Sequence, residues 1–296
     1  MAQPNPPDTP QEIIDEIIDH CSGDRSTLVA CSLTSRAWVY RTRKHLFSEL
    51  TLTSETLPKW CAVVTTPTSS VGLKERSFLD PAFPASSSYT SSWLSSYVTT
   101  LKIVSTHFTN PSKKLGSQEL FQAQAHLFAF NRVKSLTLAA ISFIVFDDAS
   151  LEACLGALAA TVRQLKLSFC YLDHEAFLAF LRLFAHLDLL ELQDNVWIHN
   201  QPEMSQKDPP TLRGSLTLSG FAGTNGGLCM LDCLATARME YNTITLSDNR
   251  RSVVHKFNIL FTECKDHFET LILTAPESGP VFGGQSSFHF WPPHFH

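Results

Sequence analysis

Residues 162–195 read VRQLKLSFCYLDHEAFLAFLRLFAHLDLLELQDN and contain one short apolar pattern twice, with a helical segment between the two copies. The copies, VRQLKL and LDLLEL, place apolar residues at their first, fourth and sixth positions. Between them, apolar residues recur at the spacing of one helix face: Phe177, Leu178, Leu181 and Phe184. Asp173 stands where a helix N-cap is expected. The stretch therefore predicts a strand, a turn, a helix and a second strand parallel to the first.

The same pattern recurs along the chain from Val98 onward. Seven segments carry apolar residues at the fourth and sixth positions, and all except RGSLTL, which begins with Arg213, carry one at the first: VTTLKI, VKSLTL, VRQLKL, LDLLEL, RGSLTL, YNTITL and FETLIL. Their central apolar residues, spaced 35, 29, 25, 26, 28 and 27 residues apart, are Leu101, Leu136, Leu165, Leu190, Leu216, Ile244 and Leu271. A period of about 20 to 29 residues is the signature of leucine-rich repeats. We therefore predict an α/β fold in which residues 98–276 form an irregular leucine-rich-repeat solenoid of parallel strands with outer helices.

The match to the repeat pattern is degenerate at its last position. Asn or Cys is typical there, and three repeats conform with Cys170, Asn195 and Asn249. Three others carry Ile141, Phe221 and Pro276. Helical spacing between the strands supports the pattern over residues 118–130, 147–160, 174–186, 227–236 and 253–268.

The strand register predicts which side chains face away from the core. Alternate residues of a strand point to opposite faces, so the residues beside the central leucines form an outward row. The row is small and polar, and its candidate target-binding members are Thr137, Lys166, Glu191, Thr217 and Thr245. It offers hydrogen bonds to a peptide or a folded partner but no aromatic anchor. A merely solvated strand face explains the same pattern.

Residues 9–50, TPQEIIDEIIDHCSGDRSTLVACSLTSRAWVYRTRKHLFSEL, predict three short helices. Thr9, Pro10 and Glu12 resemble a capping box, which predicts a helix beginning at Pro10. Asp24 and Ser35 are candidate N-caps of the second and third helices. On the third helix Arg36, Arg41, Arg43 and Lys44 are expected to face solvent. A unit of about 40 residues is too small for a self-sufficient core, so its many apolar residues indicate burial against a partner.

These residues resemble an F-box, in the F-box-like form common in mushroom-forming fungi. The resemblance is carried by Pro10 and Glu12 with the isoleucine pairs of IIDEIIDH, by DRSTL, by CSLTSRAW and by the closing HLF. It implies binding to the Skp adaptor of cullin-RING ubiquitin ligases. The residues that the resemblance assigns to this contact are Pro10, Ile13, Ile14, Ile17, Ile18, Leu28, Leu33 and Trp38. A three-helix cap on the following domain is the structural alternative.

The remaining segments complete the expected domain organisation. Residues 1–8 are predicted to be disordered, and residues 9–50 form the F-box-like unit. Residues 51–97 form a connecting region, in which 51–64 are compatible with a strand and a short helix and 65–96 are dense in Ser, Thr and Pro. Residues 277–296 fit no further repeat and are expected to form an irregular tail.

Composition narrows the class of function. The formal net charge of −5 argues against a nucleic-acid partner, which requires a basic face. No signal sequence and no run of eighteen apolar residues is present, so we expect an intracellular protein, cytoplasmic or nuclear, with no membrane partner. The eight cysteines include no Cys-x-x-Cys pair and are expected to be small buried apolar residues rather than disulfides or zinc ligands.

No catalytic, cofactor-binding or metal site is expected. The histidines His289, His294 and His296 lack spaced partners, and the glycines of 223–227 lack phosphate-loop spacing. The sequence thus predicts a non-enzymatic substrate adaptor of a Skp-cullin-F-box ubiquitin ligase, which binds the Skp adaptor through residues 9–50 and a target protein through the repeats. The alternative is a leucine-rich-repeat scaffold whose N-terminal helices only cap the solenoid.

Overall fold

A computed structural model describes residues 10–65, 95–105, 127, 129–143, 148–184, 186–197, 211–220, 234, 238–247, 262, 269–274 and 287–290 of the 296-residue chain. The helices are α1 (Gln11–His20), α2 (Arg25–Thr34), α3 (Arg36–Leu46), α4 (Thr56–Thr65), α5 (Asp148–Ala159) and α6 (His174–Leu183). The strands are β1 (Glu49–Thr53), β2 (Thr100–Val104), β3 (Ser135–Ala139), β4 (Gln164–Ser168), β5 (Tyr171–Leu172), β6 (Leu189–Gln193), β7 (Val196–Trp197), β8 (Thr211–Ser219), β9 (Arg238–Leu246), β10 (Thr270–Thr274) and β11 (Ser287–Phe290).

The three predicted N-terminal helices are present, and two of their predicted caps are confirmed. The Asp24 carboxylate accepts hydrogen bonds from the backbone N–H groups of Ser26 (2.9 Å) and Thr27 (3.2 Å). The Ser35 hydroxyl accepts one from Ala37 N (3.3 Å). Both side chains satisfy N–H groups that the first turn of a helix leaves without partners. α2 and α3 therefore begin where the sequence placed them.

The predicted start of the first helix is wrong by one residue. Pro10 has φ −52° and ψ 139°, so it is the N-cap and α1 begins at Gln11. The Pro10 carbonyl accepts hydrogen bonds from Ile13 N (3.1 Å) and Ile14 N (3.3 Å). The ring fixes φ but leaves ψ free, so proline is compatible with the extended cap conformation as well as with the first helical position. Thr9, the predicted cap, lies outside the described residues.

The strands form one large sheet in the order β1-β2-β3-β4-β6-β8-β9-β10-β11. The first eight strands in this order run parallel, and β11 pairs with β10 antiparallel. β5 and β7 form a separate parallel pair. The chain is thus a mixed α/β protein with helices at the N-terminus and a parallel sheet. The helices predicted at 147–160 and 174–186 are present, whereas those predicted at 118–130, 227–236 and 253–268 lie almost entirely outside the described residues.

The register of the sheet agrees with the sequence pattern. All seven predicted central residues pair with one another across neighbouring strands, from Leu101 with Leu136 to Ile244 with Leu271. Leu50 of β1 extends this row by one further strand. The residues of the row from Leu101 to Ile244 are almost completely buried. One core lies beneath the sheet, and α4, α5 and α6 contribute to it through residues such as Leu57, Leu155 and Phe177.

The sheet begins earlier and ends later than the predicted repeat region. β1 starts three residues after α3 ends, and α4 follows β1 with Leu57 buried in the core. A strand and a short helix were compatible with residues 51–64, but the pairing of β1 with β2 was not evident from the sequence. β11 lies within the expected irregular tail. Its four residues gave no repeat pattern because β11 pairs antiparallel with β10, whereas the pattern was that of the parallel strands.

Candidate protein-binding surfaces

α1 and α2 each present two exposed apolar side chains one helical turn apart. Ile13 and Ile17 lie on one face of α1, and Val29 and Leu33 lie on one face of α2, because residues i and i+4 share a face. Leu33 is 82% exposed and Ile17 is 46% exposed. We call these four residues the helix surface. Water-exposed apolar side chains grouped on one small unit are typical of a surface that a partner covers.

The structure divides the residues expected to bind the Skp adaptor into two groups. Pro10, Ile13, Ile17 and Leu33 are exposed and available to a partner. Ile14, Ile18 and Leu28 are buried against one another and form the core of the three-helix unit, while Trp38 packs against that core and is half-buried. The isoleucine pairs of IIDEIIDH therefore split, with one member of each pair facing inward and the other facing solvent.

The N-terminal helices have a core of their own. The Ile14, Ile18 and Leu28 cluster is separate from the cluster beneath the sheet. Cys21, Trp38 and Leu46 pack against the smaller cluster from α1 and α3. Among the described residues, the apolar side chains that hold these helices together are thus distinct from those that hold the sheet.

Asp19 joins α1 to α3 by an ion pair. Arg41 Nε donates to Asp19 Oδ1 (2.6 Å), Arg41 Nη2 donates to Oδ2, and His45 Nε2 lies 2.7 Å from Oδ1. These contacts, those of Arg41 first and His45 next, hold the pKa of the Asp19 carboxyl well below its ordinary value of 3.8. Arg41, expected to face solvent, instead turns toward α1, because a bidentate carboxylate partner is available there.

The five candidate target-binding residues form one continuous row across the sheet. The register pairs Thr137 with Lys166, Lys166 with Glu191, Glu191 with Thr217 and Thr217 with Thr245. All five are half-buried. We call them the strand row. The row faces away from the central leucines, as alternation along each strand requires.

The charges of the strand row are largely neutralised within the sheet. Lys166 Nζ forms an ion pair with Glu191, directly across from it on the neighbouring strand. Lys102, in the same row on β2, pairs with Glu49 of β1. Hydroxyl groups from Thr137, Thr217 and Thr245 occupy the other positions. The row therefore offers hydrogen bonds to a partner and little net charge.

Four turns that follow strands place a residue in the left-handed backbone region. These residues come directly after β3, β4, β6 and β8, and they are Ala140 (φ 57°), Phe169 (φ 54°), Asp194 (φ 48°) and Gly220 (φ 74°). The backbone N–H of each of the first three donates to the last residue of the next strand in the sheet, at 2.9 to 3.1 Å. These turns are therefore bonded to the neighbouring strand, although only one of the four positions holds glycine.

Phe169 and Val196 are exposed apolar residues that the sequence analysis did not select. Both are about two-fifths exposed; Phe169 lies directly after β4, and Val196 is the first residue of β7. A left-handed conformation costs a non-glycine residue roughly 1–2 kcal/mol. No signal in the sequence marked Phe169, because its left-handed conformation belongs to a turn that is bonded to the neighbouring strand β6.

Side-chain hydrogen bonds tie one turn to the strand before it. Asn195 Oδ1 accepts from Cys170 N (2.9 Å), and Asn195 Nδ2 donates to Leu167 O (3.0 Å). Cys170, which lies between β4 and β5, has its Sγ 3.3 Å from the carbonyl oxygen of Leu138 in β3. These two residues occupy the position where the repeat pattern expects Asn or Cys. Both satisfy buried backbone groups between successive strands.

Three of the four cysteines whose side chains are described are buried, as their apolar surroundings in the sequence predicted. Cys31, Cys154 and Cys170 are buried, Cys21 is half-buried, and none of these four forms a disulfide. Burial raises the pKa of the Cys154 thiol to about 11. That thiol is protonated at neutral pH and a poor nucleophile.

No family model matches the chain, and no curated protein matches it. In the described part of the chain, no group of three or more His, Cys, Asp or Glu side chains is arranged to hold a metal ion. Every helix described there is too short or too polar to cross a lipid bilayer. His294 and His296 lie outside the described residues. What the helix surface and the strand row bind is therefore inferred from the geometry of each surface.

Proposed function

We propose that this protein is a substrate adaptor of a Skp-cullin-F-box ubiquitin ligase. The N-terminal helices bind the Skp adaptor, and the sheet region binds a target protein, so the chain brings a target to the ligase and performs no chemistry itself. The observation that carries this proposal is the helix surface: four exposed apolar side chains on a three-helix unit, none of which belongs to the buried cluster of that unit. The resemblance of residues 9–50 to an F-box identifies the Skp adaptor as the partner.

In this proposal the sheet belongs to a leucine-rich-repeat solenoid. The support is the in-register row of central leucines, the left-handed turns and the bonds of Cys170 and Asn195 to neighbouring backbone groups. Parallel strands stacked in this way present one long face to a partner. The strand row lies on that face, and its target contacts are hydrogen bonds from threonine hydroxyls and from the Lys166–Glu191 pair.

A binding measurement tests the adaptor role. We expect the full-length protein to bind the purified Skp adaptor in isothermal titration calorimetry. The double variant Ile17→Asp, Leu33→Asp should bind at least about a hundredfold more weakly, because an unpaired carboxylate buried in an interface costs several kcal/mol. Both side chains are exposed in the free protein, so the variant should keep its circular dichroism spectrum.

The matched control is Phe169→Asp, Val196→Asp. It also replaces two exposed apolar residues by carboxylates, but away from the N-terminal helices, in the turn after β4 and at the start of β7. We expect it to bind the Skp adaptor as the unmodified protein does. Equal losses in the two double variants, or no binding by the unmodified protein, would contradict the adaptor role.

A scaffold with no ligase role is the second candidate. The observation that favours it is the contact between the N-terminal unit and the first strands. Tyr40 of α3 packs edge-to-face on Tyr97, with 6.0 Å between ring centroids, and Ser48 O accepts from Thr99 N (2.8 Å). Helices that cover the first edge of a solenoid would make such contacts. Removal of residues 1–46, followed by melting of the remaining chain, distinguishes the adaptor function from the scaffold function.

A further inference from the structure

The end of α3 and the entrances to β2, β3 and β4 lie side by side. Ser48 O accepts from Thr99 N (2.8 Å), Thr99 O accepts from Lys134 N (2.7 Å), and Lys134 O accepts from Arg163 N (2.8 Å). Each residue in this series is therefore a backbone neighbour of the next. The series brings the N-terminal helices and the amino ends of three strands to one edge of the sheet.

Exposed cations are grouped at this edge. Lys134 and Arg163 are adjacent through the hydrogen bond just described, and both side chains are exposed. Arg132, two residues before Lys134, is exposed as well. Arg163 Nη1 donates to the carbonyl oxygen of His186 (3.0 Å). A carbonyl oxygen carries no formal charge, so this hydrogen bond does not neutralise the guanidinium. The next residue along this series is acidic: Asp188, whose N–H donates to Arg163 O (2.7 Å), follows the cations.

Two tyrosines and a further arginine lie beside these cations. Tyr40, 61% exposed, packs edge-to-face on Tyr97. Burial and the neighbouring Tyr40 raise the pKa of the Tyr97 phenol above its ordinary 10.0, and the positive charges of Arg43 and Arg132 oppose that rise. Arg43 lies about one helical turn from Tyr40 on α3. Arg132 and Tyr97 each lie two residues before the hydrogen-bonded pair Lys134 and Thr99, so their chain segments run side by side. We call Tyr40, Arg43, Tyr97, Arg132, Lys134 and Arg163 the junction patch.

The charge of the junction patch is opposite to that of the whole chain. The chain carries a formal net charge of −5. The ion pairs of the described residues involve Arg41, His45, Lys102, Lys166 and Arg213, and they do not include Arg132, Lys134 or Arg163. Cations that are clustered, exposed and outside the ion pairs of the described fold are complementary to an anionic partner.

We propose that the junction patch is a docking site for an acidic segment of a partner protein. Arginine and lysine side chains pair with carboxylates, and tyrosine and arginine are the residue types that dominate binding energy in protein interfaces. A nucleic acid is the less suitable ligand, because the group is small, ends at Asp188 and belongs to a chain with a sequence pI near 6.2. The patch shares no residue with the helix surface or the strand row, so this proposal does not depend on the adaptor role.

Fluorescence anisotropy with the full-length protein tests the proposal. The probes are a fluorescein-labelled peptide of alternating Glu and Ser, the same peptide with Gln in place of Glu, and labelled oligouridylate. We expect the protein to bind the Glu peptide at low ionic strength, to bind it progressively less well as salt is added, and not to bind the Gln peptide. Equal binding of the Glu and Gln peptides, or tighter binding of the RNA, would overturn the proposal.

Paired charge reversals locate the binding site. Lys134→Glu, Arg163→Glu should weaken binding of the Glu peptide by about tenfold or more, because two attractive charges become repulsive. The control Arg25→Glu, Lys59→Glu changes the net charge equally at two exposed positions on α2 and α4. We expect the control to keep most of the affinity. An equal loss in both variants would show a response to overall charge and would overturn the assignment to the junction patch, provided that both melt as the unmodified protein does.

Discussion

Gly214 occupies a backbone position in β8 that a larger residue cannot share. Its φ is 88°, and the register with β9 shifts between Gly214 and Ser215. A Cβ atom at this position would lie 2.3 Å from the Asp188 carbonyl oxygen. That oxygen also accepts from Ser215 N (2.8 Å), so it is held in place. The irregularity in the ladder therefore requires glycine for two reasons, conformation and space.

Alanine substitutions at two glycines should have opposite effects on stability. Gly214→Ala should lower the free energy of unfolding by about 2–4 kcal/mol, because it adds left-handed strain and a backbone clash. Gly156→Ala, in α5, should raise it by about 0.5–1 kcal/mol, because its Cβ would meet Glu152 Cγ at an ordinary 3.5 Å and glycine weakens helices. Urea unfolding midpoints measure both changes. Equal midpoints for the two variants would contradict the assigned geometry.

Phe169 shows where residue types alone were insufficient. The sequence placed it next to a strand, among several apolar residues, and gave no reason to expect exposure. Its position one residue after β4 puts it in a left-handed turn, and the turn directs part of the ring to solvent. Exposure of this kind is decided by backbone geometry and not by hydrophobicity.

At the scale of elements, α1 and α3 are linked by both apolar and charged contacts. Ile14 and Ile18 bury against Leu28, with Trp38 packed beside them, and Asp19 pairs with Arg41 and His45. The apolar contacts do not depend on pH, whereas the ion pair does. The stability of the three-helix unit should therefore contain a pH-dependent part that originates at Asp19.

Asp19→Asn should reduce the sensitivity of the protein to acid. The folded protein depresses the pKa of Asp19, so the ion pair stabilises the fold above the ordinary value of 3.8 and loses its effect as pH falls below about 4. Melting temperatures at pH 6 and at successively lower pH measure this effect. The midpoint of the unmodified protein should fall more steeply than that of Asp19→Asn.

Asp15→Asn is the matched control for that measurement. Asp15 is also on α1 and accepts a hydrogen bond from Gln11 of the same helix. Its replacement removes the same charge but leaves the contacts of Asp19 with Arg41 and His45 in place. The control should melt with the pH dependence of the unmodified protein, and parallel curves for all three proteins would exclude the Asp19 contact as the source.

At the scale of the whole molecule, the described part of the chain is organised around two hydrophobic cores. The larger core contains β1, α4 and the later strands and helices, and the smaller core belongs to α1, α2 and α3. β1 belongs to the sheet although only residues 47 and 48 separate it from α3. The boundary between the two cores therefore lies at residues 47–48, earlier than the end of the F-box-like segment at residue 50.

Removal of residues 1–46 should leave a cooperative fold. Because the smaller core is separate, we expect the melting midpoint to fall by less than about 4 °C, which corresponds to roughly 1 kcal/mol for a domain of this size. Circular dichroism melting measures it. Removal of residues 1–53 is the control and should be much more damaging, because it also removes β1 and the fully buried Leu52. A broad transition for the shorter deletion would favour the scaffold function.

The sequence by itself determined the alternation of strands and helices, the register of the central leucines and the caps at Asp24, Ser35 and Asp173. These features depend on local spacing, because a period of two or of 3.6 residues sets which side chains share a face. The Asp173 carboxylate, for example, accepts from Ala176 N (2.8 Å), as its position before the apolar helix predicted.

Only the tertiary structure decided which apolar residues of α1 and α2 are buried, where the sheet begins and ends, and which charges meet. Ile17 and Ile18 are adjacent in sequence and equally apolar, yet Ile18 is fully buried and Ile17 faces solvent. The direction from which α3 and α2 approach α1 determines that difference. The junction patch has the same origin, since Arg43, Arg132 and Arg163 are distant in sequence and become neighbours only when the strands pair.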